Sequence, residues 1–406
     1  MKSTLLAQMR STHAVLMFVL ALFTVVMTEP IHSQTLTVLY SFTGSPDGSD
    51  PAAGLRRGPD GSFYGTTVGG GDFGYGTVFK LNSDGQEEVV YSFCAVTNCV
   101  GDGSNPFGSV VRDDAGSIYG TTFSAAVGFF GIVFKIDPTG AETVLHSFTG
   151  PPNRDGANPG GSLLRDTAGN LYGTTESGGK LCSQAINGCG TIFEIDPQGK
   201  ETVLHRFTGG TDGGIPTAGL IKDRVGNFFS TTYVGGAFGC GTVFKLGRRG
   251  HQETVLYSFN CSNGDGSGPL GGLVMDRNGN FYGTTAFGGT YGQGSIYKVT
   301  KAGKETVLHS FAGGMIDGCT PEYETLLLDE NGDLYGTTVF CGPLNFGVVF
   351  KLDPTGHETI LHTFTGGVDG AAPYGGTLIK ANGKLYGTTS DGGIANNGIV
   401  YKLSPH

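Results

Sequence analysis

Tryptophan is absent from the 406 residues, and charge is scarce: Asp, Glu, Lys and Arg together make 15%, against about 25% in ordinary globular chains. The positive sign is the scarcer one. Lys and Arg number 25 against 35 Asp and Glu, a net charge of −10. That argues against nucleic acid as a partner, because phosphate binding needs clustered Lys and Arg. No Walker loop, G-x-S-x-G, H-E-x-x-H or EF-hand pattern occurs. No catalytic constellation is therefore recognisable, and an enzyme is not the expected class. No apolar run long enough to cross a bilayer follows residue 27, so no membrane span is expected in the mature chain. No segment carries a convincing helical pattern.

Glycine is what the chain has in excess. The 73 glycines among 406 residues are about 18%, against a usual level of about 7%. Disorder is a poor explanation, since 38% of residues are hydrophobic and the sequence has a long period. The N-terminus has Lys2 and Arg10 followed by the apolar run Ala14–Met27, "AVLMFVLALFTVVM". This is the length of a signal-peptide core rather than a span of about 20 residues. The expected division is a leader over 1–33, cleaved after Ser33, and a mature domain over 34–406. With no hydrophobic tail at "YKLSPH", a soluble product, secreted or periplasmic, is expected.

Eight cysteines suit that compartment. No C-x-x-C occurs and no histidine lies beside them, which makes a metal role weak. Their spacing suggests local pairs, Cys94–Cys99, Cys182–Cys189, Cys240–Cys261 and Cys319–Cys341, out of 105 pairings.

The phrase "YGTT" begins at Tyr64, Tyr119, Tyr172, Tyr282, Tyr335 and Tyr386, with the variant "FSTT" at Phe229. A period near fifty residues marks an array of units too small to bury their own apolar faces. Each unit parses into four short strands, in the third "GSLLRD", "NLYGTT", "GTIFEID" and "KETVLHRF". β-Branched and aromatic residues between Asp-, Pro-, Asn- and Gly-rich turns support strands. Seven such units predict an all-β fold, a seven-bladed β-propeller of four-stranded blades. The alternative is a linear β-solenoid. The chain ends favour the ring: Thr35–Phe42 reads as a fourth strand, and the last unit supplies only three. The leading strand would complete the last blade (3+1) and cover a bare edge.

The succession L-Y-G-T-T, G-T-V-F-K-L and E-T-V-L-H-S-F resembles the bacterial GloVer tandem-repeat proteins, the choice-of-anchor repeat family, over Thr35 to Leu403. The hairpin "RDTAGNLYGTT" is similar to blades of NHL-like propellers. The resemblance implies an exported protein and names no activity. Members often end in an anchoring segment, and none is expected here.

In a four-stranded meander the tight turns fall on one face of the ring. The long loops, with all eight cysteines in or beside them, fall on the other, where binding is expected. That face repeats D-G-x-x-P, with Asp47, Asp102, Asp155, Asp212, Asp265, Asp317 and Asp369. One reading makes them a ring of carboxylates holding a divalent cation at the channel mouth. The favoured reading makes each an Asx-type turn accepting backbone N–H groups. Two bare carboxylates about 10 Å apart repel by roughly 1.7 kcal/mol at a dielectric of 20, so a ring of seven without a cation is costly. No cofactor is predicted beyond that cation. His146, His205, His309 and His362 share one repeat position with Tyr40, Tyr91 and Tyr257, a packing position.

Departures from the repeat are the ligand-binding candidates. In "CTPEYETLLLD", Glu322 and Glu324 flank Tyr323 near the channel mouth. Glu176 follows "YGTT" where other units carry Val, Phe, Tyr, Ala or Ser. "SAAVGFFG" offers Phe129 and Phe130 as exposed rings, and "FGGTYGQG" offers Phe287 and Tyr291. Acids with aromatics suit a sugar, and drift in a degenerate repeat is the blander explanation. The expected function is a secreted binding or scaffold module, a monomer whose long-loop face contacts a glycan or an extracellular protein. The alternatives are a polysaccharide hydrolase or lyase and a purely structural envelope protein.

Overall fold

The computed structural model describes residues 34–404, apart from 96–98, 100, 126–129, 152–154, 184, 186, 250, 263, 324 and 376. The expected leader lies outside the described residues. Among the described residues there is no helix, and nothing is long and apolar enough to cross a membrane as one.

Seven four-stranded antiparallel sheets form the blades of a β-propeller. Blade three shows the pattern: Leu164–Arg165 innermost, then Leu171–Thr175, Thr191–Ile195 and Glu201–Arg206 outermost. Blade seven takes Ile379–Ala381, Lys384–Thr389 and Ile399–Ser404 from the end of the chain. Its fourth strand is Thr35–Ser41, which pairs antiparallel with Ile399–Ser404. In every blade the outermost strand carries a bulge against the third, as between Val133 and Phe134. A bulge adds local twist.

One aromatic pair seals each of the seven seams between blades. A ring just after the outermost strand meets a ring in the third strand of the next blade. The pairs are Phe42–Phe79, Phe93–Phe134, Phe148–Phe193, Phe207–Phe244, Phe259–Tyr297, Phe311–Phe350 and Phe364–Tyr401, all edge-on with centroids 5.0–5.5 Å apart. Burying such a ring contributes about 1.5–3 kcal/mol, and the edge-on geometry about 0.5–1.5 more. The glycine of "YGTT" makes room for the third-strand ring. A Cβ on Gly173 would stand 2.5 Å from Cζ of Phe193. The first threonine of the motif ties blades together. Thr66 Oγ1 donates to the Gly108 carbonyl, Thr174 to Ala218, Thr231 to Gly271 and Thr388 to Ala53, at 2.9–3.3 Å.

The innermost strands are shorter than the sequence predicts. Of "GSLLRD" only Leu164–Arg165 pairs with the second strand. The glycine-bearing half instead lies against neighbouring blades around the axis. A Cβ on Gly161 would meet the Gly219 nitrogen at 2.7 Å, and one on Gly108 the Gly161 carbonyl oxygen at 2.9 Å. The four local disulfides expected from spacing are all present.

Candidate functional site

The residue before each D-G-x-x-P proline adopts a left-handed backbone: Asp50, Asn105, Asn158, Ile215, Gly268, Thr320 and Ala372, with φ between 48° and 64°. Its carbonyl accepts the N–H of the residue that follows "GTT" in the same blade, as Asn158 does from Glu176 at 3.1 Å and Asn105 from Phe123 at 2.9 Å. This fixes two positions per blade near the axis. One follows the threonines; the other follows the proline and reads Ala52, Phe107, Gly160, Thr217, Leu270, Glu322 and Tyr374 around the ring. The backbone is common to the blades and the side chains differ.

Ala52, Phe107, Gly160, Thr217 and Tyr374 from the second set and Phe123 and Glu176 from the first converge on an axial pocket of about 170 Å³ lined from all seven blades, while Glu322 and Leu270 are not part of its lining. Much of its lining is small, including Ala53, Gly108, Ser162, Gly219, Gly272 and Thr377. Its distinctive groups are Phe107, Phe123, Glu176, Tyr323 and Tyr374. The structure thus brings together Glu176 and Tyr323, which the sequence singles out separately. The Glu176 carboxyl stands over Gly160, where a Cβ would lie 2.6 Å from Oε1. Burial raises this carboxyl to about 7. Tyr323 sits at φ 55°, a backbone that bulky residues rarely adopt and that recurs at functional sites. Its ring lies 5.1 Å from that of Tyr374, tilted 41°. Burial, then Tyr374 and Glu176, push the Tyr323 hydroxyl well above its ordinary range. Burial, then Glu322, raise Tyr374 to about 12. Glu322 is half-buried, and burial raises its carboxyl too.

The D-G-x-x-P aspartates do not converge on the axis. Each joins the outermost strand of one blade to the loop entering the next. Asp47 accepts from Tyr40 Oη at 2.7 Å and from the Thr43 N–H at 2.9 Å. Asp102 accepts from Tyr91 and the Ala95 N–H, and Asp265 from Tyr257 and the Asn260 N–H. Asp155 accepts from the Thr149 N–H and lies 3.7 Å from His146. Asp212 takes the Thr208 N–H with His205 3.5 Å away. Asp317 and Asp369 accept N–H groups from Ala312 and Thr365 beside His309 and His362. The four histidines also pack edge-on against phenylalanines, as His146 does on Phe148.

The Gloeobacter/Verrucomicrobia repeat profile matches residues 24–224 and 217–406. The chain belongs to the Gloeobacter/Verrucomicrobia repeat family. No curated protein matches it. Among solved structures it is similar to a puromycin hydrolase, at 15% identity over 85% of this chain and 50% of that one, TM-score 0.52. The chain spans half the length of that protein, and the likeness bears on the fold alone. A protein assigned provisionally as a gluconolactonase aligns at 12% identity over 92% of both chains, TM-score 0.41. One assigned provisionally as a 6-phosphogluconolactonase, from Bacteroides uniformis, aligns at 14% identity over 81% of this chain and 89% of that one, TM-score 0.49.

The other candidates in this family member stand apart from the pocket. Tyr291 is exposed and lines an outer cavity with Asp265, Glu305 and His309. Phe287 is likewise exposed. Phe130 is not a free ring: it is half-buried against the core between blades two and three and covers Gly150. Glu324 and Phe129 lie outside the described residues. Among the described residues, the group able to hold a cation is His309, Asp317 and Glu358, at a blade seam on the outer wall, with His309 Nε2 3.2 Å from Asp317 Oδ2 and 3.8 Å from Glu358 Oε2.

Sequence reasoning missed four features. Phe107 and Phe123 line the pocket, and neither is singled out by the sequence. Tyr374 was legible, because in blades six and seven one extra residue separates the proline from the following leucine (Pro321–Leu326 and Pro373–Leu378, against Pro159–Leu163). Asp50 is half-buried near Asp391 and, chiefly through burial, raised to about 6. The glutamates that open the fourth strands, Glu87, Glu142, Glu201, Glu253, Glu305 and Glu358, each bury Oε1 without a hydrogen-bond partner among the described residues. Leu36 takes that place in blade seven.

Proposed function

We propose that this chain is an exported binding module that seats a glycan unit in the axial pocket of its long-loop face. The observation that carries the reading is the convergence of the non-repeating side chains, Glu176, Tyr323, Tyr374, Phe107 and Phe123, on one concave site built from repeated backbone. A concave site with aromatic walls and a few polar groups is the usual form of a small-ligand site. Aromatic rings stack on the apolar faces of sugars, and carboxylates accept their hydroxyls. Four disulfides stiffen loops around the ring and suit an oxidising compartment.

A glycan array probed with the whole chain tests this. The expected result is binding that is lost in Tyr323→Ala and in Tyr374→Ala. An array without binding, or binding that both variants retain, overturns the reading.

One observation favours a second reading, hydrolysis. A carboxyl raised to about 7 by burial, as Glu176 is, suits a general acid. Reducing ends released from a polysaccharide panel by the wild type, and not by Glu176→Gln, would establish it.

A further inference from the structure

Charge in the axial pocket is of one sign. Among the residues that line it there is no lysine, arginine or histidine, and the ionisable acid is Glu176. Among the described residues no side chain donates a hydrogen bond to that carboxyl, and burial is the cause of its raised titration. Glu322 lies close enough to act on the tyrosine hydroxyls. The carboxyl occupies space that the other blades fill. At the post-proline position, six blades carry a side chain and blade three carries Gly160, over which Oε1 stands. Blade three thus pairs the axial acid with the glycine that admits it.

A desolvated carboxylate without a partner is costly, and an opposite charge beside it removes most of that cost. A neutral sugar would leave the carboxylate unpaired or make it take up a proton, and an anion would add repulsion. Tyr323 and Tyr374, 5.1 Å apart, supply ring faces of the kind that attract cations. The volume sets a size limit. A cavity of about 150 Å³ takes a benzene ring, so about 170 Å³ suits one small moiety and not a chain of sugars.

We infer that the axial pocket selects an organic ammonium group, with Glu176 as its counter-ion and Tyr323 and Tyr374 as its aromatic wall. This rests on the reading of the pocket as the binding site and adds the chemistry of what enters it. The shared chemistry is a cationic nitrogen on a small carbon frame. An amino sugar and a quaternary ammonium compound are its two sources.

Calorimetric titration of the whole chain with glucosamine, choline, glucose and N-acetylglucosamine decides it. The account expects glucosamine or choline to bind at least about tenfold tighter than glucose and N-acetylglucosamine. Glu176→Gln should remove that preference. Binding by glucosamine without choline assigns the ammonium to a sugar, and binding by choline assigns it to the quaternary nitrogen. Affinity for the cationic probe should also weaken from low to high salt, which keeps the test decisive if Glu176→Gln does not fold. Equal affinity for glucose and glucosamine overturns the inference and leaves the pocket as a glycan site. No binding by any of the four overturns both.

Discussion

The ring of Phe42 meets that of Phe79 edge-on at 5.1 Å, although one follows the first strand of the described chain and the other lies in blade one. Phe148 and Phe193 make the same contact at 5.1 Å between blades two and three. The seam where the chain ends meet is therefore packed like the interior seams. Thr388 adds the same threonine-to-carbonyl bond, here to Ala53.

Equivalence of the seams makes a prediction. Phe42→Ala and Phe148→Ala each remove a fully buried ring, and each should cost about 3–5 kcal/mol. Urea denaturation of the two variants checks this. A Phe42→Ala loss well under half that of Phe148→Ala would show that the closing seam is not load-sharing.

In blade three the glycine at the centre of "YGTT" serves the third-strand ring and not backbone freedom, whereas blade four fits Ser230 opposite Phe244. Gly173→Ala places a methyl 2.5 Å from Cζ of Phe193, and overpacking of that kind costs about 1–3 kcal/mol. The expected outcome is a lowered Tm that the double variant Gly173→Ala with Phe193→Leu partly restores. No change in Tm for Gly173→Ala would contradict the contact.

The seam glutamates set the pH dependence. Glu87, Glu142, Glu253, Glu305 and Glu358 are raised to about 7, first by burial and then, with one neighbouring aspartate each, by Asp47, Asp102, Asp212, Asp265 and Asp317. His205 and His309 pull Glu253 and Glu358 the other way. In the unfolded chain these groups ionise near 4.5. Between about 4.5 and 7 the folded state holds more protons, so stability falls as pH rises through that window. His362, lowered from 6.5 by burial, opposes this weakly. Lowered aspartates such as Asp212 act below the window. Calorimetry should show a higher Tm at about pH 5 than at about pH 7.5, with a shallower slope in Glu142→Gln. A Tm that climbs across the range contradicts the assignment.

The disulfides close loops of unequal length. Cys319–Cys341 spans 22 residues and Cys94–Cys99 spans 5. Chain-entropy reasoning gives about 3 kcal/mol for the longer loop and about 2 for the shorter. Cys319→Ser with Cys341→Ser should therefore lower stability more than Cys94→Ser with Cys99→Ser in matched denaturation curves. The reverse order would place the stabilisation elsewhere.

Repetition made the fold legible. "YGTT" counted the blades, and the orphan fourth strand at Thr35 placed the closure before any contact was known. The site was legible only where one blade broke a shared phrase, as at Glu176 and Tyr323. Tyr374 escaped because its break is a one-residue insertion, visible only when the prolines and the following leucines are aligned together. The seam glutamates escaped for the opposite reason. Glu142 and its equivalents repeat so regularly at the start of an outer strand that no departure from the pattern singles them out. Phe130 was misjudged because nothing local reveals that Gly150 leaves a space for its ring.

The central claim is that the non-repeating side chains form one working pocket on the axis. Hydrogen–deuterium exchange of the whole chain, with and without saturating glucosamine, tests it most directly. Protection should gather in the segments that enter the innermost strands, 51–54, 106–109, 159–162, 216–219, 321–323 and 373–378, and in the stretch around Glu176. Protection confined to the outer loops around Tyr291, or no protection anywhere, would contradict it.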